Sequence, residues 1–309
     1  MHGVPGIFAV LRCASCAAIF YEPRLRREEL AAFYPDSYGR YRRARSLERK
    51  AYHGFRRFVL EHYYGYPLRN GGNVRLWKRG AAFCLSFVAA KGAIPFRGEG
   101  KFLDVGCGSG SYLYRLRQWG WKVYGVEPSP AGAAQARSLG LAVHLGELTD
   151  ANFPSGFFDI VRLHHVLEHL SNPRETLVEI RRIMKPEGIV QITVPNTGSL
   201  NFWLFGPNWY GLDIPRHVIS YGPKAFRLLC RATGFEVANL RCRSGPFGFV
   251  RSLSYFLEEN AYHWPKWVRH IDWPRNKFVR RTLKPLFSVL DVLSLGDVMV
   301  ATLKIAGAK

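Results

Sequence analysis

Acidic side chains are scarce in this sequence. Its 23 Asp and Glu face 44 Lys and Arg, leaving a net charge of +21. The shortage is uneven. Residues 1–100 carry 18 basic against 7 acidic side chains, residues 101–200 carry 10 against 9, and residues 201–309 carry 16 against 7. Both flanks therefore suit an anionic partner, such as a phospholipid surface, a phosphorylated substrate or nucleic acid. A solvated, Arg-rich surface is the plainer alternative. Cysteines are few as well. Six in 309 residues make no disulfide framework, and a reducing, cytoplasmic setting is expected. Long apolar runs are missing. The best candidate, AAFCLSFVAA at 81–90, closes on Lys91 and Gly92, well short of the roughly 20 residues a spanning helix needs. The apolar amino terminus lacks a basic lead-in and is interrupted by Arg12, which argues against a signal peptide. Repeats and low-complexity tracts are absent. Hydrophobic residues, by contrast, make up 48%, enough for a packed core.

From residue 101 the texture is regular. KFLDVG reads as a short buried strand closed by glycine, SYLYRLRQWG as a helix ending at Gly120, and WKVYGVE as a second strand. Ser129 caps the next helix, with Pro130 at its first position and a stop at Gly140. AVHLG and FFDIVRLHH follow as strands. SNPRETLVEIRRIMKPEG reads as a helix stopped at Pro186–Gly188, and IVQITVPN as a fifth strand. Helix KAFRLLCRATG and strands FEVANLRCR and DVMVATLKI complete the pattern. Such alternation predicts an α/β fold, a mostly parallel sheet with helices on both faces and right-handed crossovers. Four segments are expected: a basic extension over 1–97 with a Cys-x-x-Cys and helices, the core over 98–245, an aromatic and basic insertion over 246–296, and a final strand over 297–309. The insertion is too long for a plain loop and must carry its own helices.

Open α/β sheets bind ligands outside the carboxyl ends of their strands. The loop after the first core strand is Gly106-Cys107-Gly108-Ser109-Gly110. Glycine permits positive φ and close approach of a ligand to the backbone, and the helix that follows supplies free N–H groups. A dinucleotide fingerprint, Gly-x-Gly-x-x-Gly, needs glycine at 111. That position is Ser111, and the third glycine comes one residue early. Glu127 ends the second strand, where a carboxylate accepts hydrogen bonds from the two hydroxyls of a ribose. Asp104 is placed to hold the loop amides or a cofactor's ammonium group.

Taken in order, FLDVGCGSGSYL, VYGVEPSPAGAAQARSLGL, FFDIVRLHHVLEHLSNP, IMKPEGIVQITVPN and IPRHVISYGPKAFRLLCRATGFEV resemble the motifs of class I S-adenosylmethionine-dependent methyltransferases. The branch is the one with Leu-Glu-His after strand four and Pro-x-His before a late helix. The resemblance covers residues 100–245. It implies a Rossmann-like seven-stranded, mostly parallel sheet with an antiparallel last strand, and basic helical additions at both ends. It also implies S-adenosyl-L-methionine as cofactor, with Asp104, Gly106, Gly108 and Gly110 at the methionine moiety and Glu127 at the ribose. Glu147 and Leu148 would border the adenine and His164 would line the pocket. Cys107 and Pro128, within the same motifs, complete the cofactor set. Position 147 holds Glu where relatives often have Asp.

The donor brings its own electrophile, so the protein must align a nucleophile and keep the site dry. A hydroxyl or acidic carbon acceptor also needs a general base, and histidine is the default. His217, in Ile214-Pro215-Arg216-His217, and His165 are the candidates; His169 and His144 read as structural. NFWLFGPNWYGLDIP, residues 201–215, reads as a lid or acceptor wall, or as the packing of a long loop. The segment VPNT lacks the Asn-Pro-Pro-aromatic signature of amino-group methyltransferases acting on adenine or glutamine. Cys13-Ala14-Ser15-Cys16 is half a zinc knuckle. Tetrahedral zinc needs four ligands, relatives of this branch often carry two such pairs, and only His2 lies upstream, so a remnant without metal is expected and no metal ligands are assigned. The Arg cluster at 40–57 and the Trp/Lys/Arg segment at 264–284 suit a membrane interface or single-stranded RNA. No RNA-binding module is recognisable, which favours lipid, or a lipid-linked, phosphorylated or sugar acceptor. The reading is an enzyme that methylates oxygen or carbon of a small-molecule, sugar or lipid-linked acceptor, cytoplasmic or peripheral at the inner membrane face. The rivals are an RNA methyltransferase and a non-catalytic S-adenosylmethionine-binding protein.

Overall fold

The strands follow the apolar runs. In this computed structural model they are β1 (Ala9–Arg12), β2 (Ile19–Glu22), β3 (Lys101–Val105), β4 (Lys122–Glu127), β5 (Ala142–Leu145), β6 (Phe158–His164), β7 (Met184–Pro195), β8 (Ile219–Ser220), β9 (Phe235–Arg243) and β10 (Val298–Ile305). The structure describes residues 7–26, 29–30, 32–34, 54–67, 75–89, 93–260 and 277–307. The basic stretches 40–53 and 264–276 singled out above lie outside these residues. Seven strands form one sheet in the order β5-β4-β3-β6-β7-β10-β9. β3, β4 and β5 run parallel, while β10 is antiparallel to both β7 and β9. The expected Rossmann-like sheet with an antiparallel last strand is present. The near-continuous burial of β3 and β6 explains their largely apolar sequences. Edge strand β9 alternates instead and carries Glu236, Arg241 and Arg243.

Two compact units divide the chain, Asp36–Arg162 with Arg182–Ile189, and Met1–Pro35 with Leu163–Arg181 and Val190–Lys309. In the first, helices Ser111–Arg117 and Pro130–Arg137 join the parallel strands. The Ser129 hydroxyl caps the second of them by accepting from the Gly132 N–H at 3.3 Å. Helices Phe55–His62 and Leu76–Ala89 bury Val59, Leu60 and Ala82 in the same core as Phe102, Leu113, Trp121 and Ile160. Their apolar spacing therefore serves packing. The second unit holds a small antiparallel sheet, β1-β2-β8. Its hairpin lies in the stretch expected above to be a basic extension with a Cys-x-x-Cys and helices. Ile19 and Tyr21 point inward onto Trp209, Leu212 and Ile214, an alternation too brief to register as a strand period. Helices Pro246–Glu259 and Lys277–Val292 fill the insertion. Among the described residues no helix is long and apolar enough to cross a membrane.

One boundary needs correction. Helix Pro173–Ile183 stops before Pro186–Gly188, and β7 begins at Met184. The N–H groups of Gly156 and Phe157 donate to the Arg182 and Ile183 carbonyls at 3.0 and 2.7 Å. Lys185 pairs with the buried Asp159 at 2.9 Å. Pairing with the start of β6 overrides the local helical pattern.

Candidate active site

β3 ends in the glycine loop. The N–H groups of Gly106 and Cys107 both donate to the Val126 carbonyl, at 2.8 and 3.1 Å, and so pin the loop to β4. Gly106, Gly108 and Gly110 have φ of 70°, 54° and 69°, a region that disfavours any side chain. A methyl group on Gly110 would also lie 2.5 Å from Leu141 Cδ1. Glu127, 4% exposed, ends β4. Its Oε2 accepts from the Gly108 N–H at 2.7 Å and its Oε1 from the Ser129 N–H at 3.0 Å. One buried carboxylate thus holds the loop and the start of the next helix.

The loop N–H groups are bonded elsewhere than at Asp104: Gly106 and Cys107 donate to Val126, Gly108 to Glu127 and Gly110 to the Cys107 carbonyl. Both Asp104 oxygens face Arg162 Nη1, at 2.9 and 3.2 Å. Burial pushes the Asp104 carboxyl above its ordinary value, and Arg162 only partly offsets this. The guanidinium itself lies 4.1 Å from the Tyr112 ring centroid. Cys107 is buried, and desolvation, then the charges of Asp104 and Glu127, drive its thiol up. Gly125 makes room for it, since a Cβ there would meet Cys107 Sγ at 2.7 Å. Pro128 and Glu147 are exposed, and Leu148 is buried at the turn after β5. His164 ends β6 with its ring 4.8 Å from, and edge-on to, that of His165.

A second group of side chains follows β6. His165 has φ 56° and its N–H donates to the Thr193 carbonyl at 2.9 Å. The Leu167–His169 segment is a single 3-10 turn. That turn sends Glu168 fully inside, 0% exposed. His165 Nδ1 donates to Glu168 Oε1 at 3.0 Å, and His217 Nε2 lies 4.0 Å from the same oxygen. The Val218 N–H donates to the Glu168 carbonyl at 2.8 Å, tying the turn to the chain entering β8. His217 Nδ1 lies 2.8 Å from the Gly211 carbonyl, and His169 Nδ1 lies 2.8 Å from that of Arg216. A carbonyl only accepts, so both Nδ1 atoms carry the proton. The Tyr34 hydroxyl also lies 2.8 Å from His169 Nδ1. Burial, then the neighbouring His217, lower the His169 imidazole to about 4. For Glu168, burial opposes ionisation, but the His165 hydrogen bond and the surrounding imidazoles outweigh it and hold the carboxyl below its ordinary value.

His217 and His165, the candidate bases, are thus brought together, 52 positions apart in sequence. They arrive with Glu168, which the sequence reading left unassigned, and with His169, which it took as structural. The signal for Glu168 was an acid inside the apolar run VLEHL, because a buried acid needs a partner. Arg162, a charge within strand FDIVRLH, was legible in the same way. The aromatic segment 201–215 splits in two. Trp209 is buried against Ile19 and Tyr21, whereas Trp203 is 77% exposed on helix Leu200–Phe205. Asn201 on that helix donates to Asp297 Oδ2 at 2.8 Å. Cys13 and Cys16 sit in the β1–β2 turn, where the Ser15 hydroxyl and the local backbone lower the exposed Cys13 thiol to about 6. Among the described residues no His, Asp or Glu joins them in a metal-sized cluster.

A family profile described as methyltransferase domain matches residues 76–240. The chain belongs to that family. S-adenosylmethionine is its cofactor, and the glycine loop leaves room for a ligand: backbone open at three positive-φ positions beside a buried carboxylate at the end of β4. Among relatives of this methyltransferase, a malonyl-[acyl-carrier protein] O-methyltransferase of Serratia marcescens is 29% identical over 150 residues, 47% of this chain and 58% of the relative. A ubiquinone biosynthesis O-methyltransferase of Maricaulis maris is 30% identical over 164 residues, covering 48% and 62%. The matches thus span less than two thirds of either relative. A solved S-adenosylmethionine-dependent methyltransferase from Archaeoglobus fulgidus superposes with TM-score 0.47 at 20% identity, covering 68% of this chain and 87% of that one.

Proposed function

We propose that this methyltransferase transfers the methyl group of S-adenosylmethionine to an oxygen of a small-molecule or lipid-linked acceptor. The observation that carries the reading is the buried Glu168 carboxylate with His165 Nδ1 on one of its oxygens. A hydroxyl gives up a proton as it is methylated, and an imidazole oriented by a carboxylate is suited to take it at Nε2. The His165 side chain is 24% exposed, while Glu168, which holds it, is closed to water. When bound, the cofactor supplies the electrophilic methyl. The chain supplies orientation, a dry setting and the proton acceptor. Residues 165–169 follow the carboxyl end of β6, and open α/β sheets bind ligands outside the carboxyl ends of their strands. O-methyltransferases among the relatives support the oxygen acceptor. Flanks rich in Lys and Arg support an anionic or lipid-linked one.

The test is methyl transfer from labelled S-adenosylmethionine into cell extract, with the product identified by mass. A methyl ether or ester on a small or lipid-soluble molecule is expected. His165→Gln should lower turnover by about 100-fold or more while calorimetry shows cofactor affinity unchanged. Label found in RNA, or full turnover by His165→Gln, would overturn the reading.

A further inference from the structure

We infer that Glu168, His169 and His217 form a binding site for a divalent transition-metal ion. Each residue offers one ligand atom, and the three atoms lie within 4.8 Å of one another. Two further observations separate this group from a chance cluster. The first is the histidines' orientation. Both spend Nδ1–H on a backbone carbonyl, Gly211 for His217 and Arg216 for His169. A ring held so, when it carries one proton, has its lone pair on Nε2, which is how metal-binding imidazoles are held. The second is an unmet need. Glu168 is fully buried, yet its Oε2 has no hydrogen-bond partner. The Tyr221 hydroxyl, buried and also without a partner, feels the Glu168 charge. A buried carboxylate oxygen without a donor is costly, and a cation answers it.

Two imidazoles and one carboxylate select the ion. Calcium and magnesium prefer all-oxygen shells, whereas zinc, manganese, iron and cobalt accept this mixed set. Ligands at about 2.0–2.2 Å from a metal stand roughly 3–3.5 Å apart. Glu168 Oε1 and His217 Nε2 stand 4.0 Å apart and no two of the three ligand atoms exceed 4.8 Å, so an ion would draw them inward by roughly 0.5–1.8 Å. Three protein ligands leave coordination positions open, as at catalytic rather than structural sites. An acceptor oxygen bound there would lose its proton more readily, and His165, on Glu168 Oε1, stands beside it to receive that proton. The cation's role rests on the proposed methyl transfer to oxygen; its binding does not.

Cobalt(II) is the probe. Full-length protein with Cys13→Ser and Cys16→Ser, stripped with chelator, is titrated with Co2+ without cofactor or acceptor. We expect one equivalent bound, with a visible spectrum of nitrogen and oxygen ligation and no thiolate charge-transfer band. Glu168→Gln and His217→Gln, each verified as folded by circular dichroism, should weaken binding by about 100-fold or more. If either does not fold, His169→Gln serves in its place. Failure of the folded double-serine protein to bind Co2+, or undiminished binding by the ligand variants, would overturn the inference. Calorimetry of S-adenosylmethionine on the stripped protein reads the other question separately. Cofactor binding without Co2+ binding would sink the metal site and leave the methyltransferase reading standing.

Discussion

Asp297 offers a direct test of the electrostatics around the aromatic segment. It precedes β10, is 8% exposed, and accepts from Asn201 Nδ2 at 2.8 Å. Burial pushes its carboxyl from 3.8 to about 7, the Asn201 hydrogen bond opposes this, and nearby Asp291 adds to it. Because the folded pKa lies above the unfolded one, the folded protein holds the extra proton. Stability must then fall as pH rises from about 4 to about 7. A shift of about 3 pKa units corresponds to about 4 kcal/mol lost above pH 7. Asp297→Asn removes the titration. The new amide also offers an N–H within the same buried pair, where Asn201 Oδ1 now has no partner. The variant should exceed the wild type by about 4 kcal/mol at about pH 8, and by about 2 kcal/mol at about pH 5. Urea titrations followed by circular dichroism, run on both proteins in matched buffers, measure the gap. A gap that does not widen with pH, or a variant less stable than wild type at the higher pH, would refute the reasoning.

Two other perturbations probe the cofactor unit and the hairpin. Arg162→Met strips the buried Asp104 of the guanidinium that faces both its oxygens, and should cost about 3–5 kcal/mol; a thermal melt within a degree of wild type would show that the pair is not what sustains Asp104. Cys13, with its thiol lowered to about 6, should be mostly thiolate at neutral pH. Its alkylation by iodoacetamide, followed peptide by peptide, should reach half its maximal rate near pH 6, and a midpoint above pH 8 would exclude the Ser15 effect.

Much of the fold was legible because its strands are buried on both faces. β3, β4 and β6 read as short, largely apolar runs, and each stands where those runs fall. The glycine loop was legible for a related reason: positive φ at 106, 108 and 110 leaves few residue types free to stand there. What escaped depended on partners remote in sequence. β1 and β2 span four residues each, and they become strands only by pairing with each other and with β8. The end of helix Pro173–Ile183 was set by the Asp159–Lys185 ion pair, which no helix propensity encodes. The Asp104–Arg162 pair was out of sight because its two members lie on different strands. The hydrogen bond from His169 Nδ1 to the Arg216 carbonyl was likewise hidden, since Arg216 lies far along the chain.

The backbone at the Glu168 cluster bears on whether that cluster only packs. His165 and Asp213 both have positive φ, 56° and 35°, in a region that costs a non-glycine residue on the order of 1–3 kcal/mol. Such a conformation persists only where the surroundings dictate it. At His165 they do: the N–H is held by Thr193 and the ring by Glu168. At Asp213 the carbonyl accepts from the His217 N–H at 3.1 Å and the carboxylate binds Arg216. Glycine at either position would relieve the strain and forfeit the side chain. These two side chains are the ones that address the cluster, His165 on Glu168 Oε1 and Asp213 with Oδ2 at 3.9 Å from His217 Nε2. The strain therefore falls at the positions from which Glu168 and His217 are oriented. A turn needed only for packing would not require imidazole or carboxylate there. The backbone thus points to the same group of atoms as the orphaned Glu168 oxygen and the paired Nδ1 hydrogen bonds.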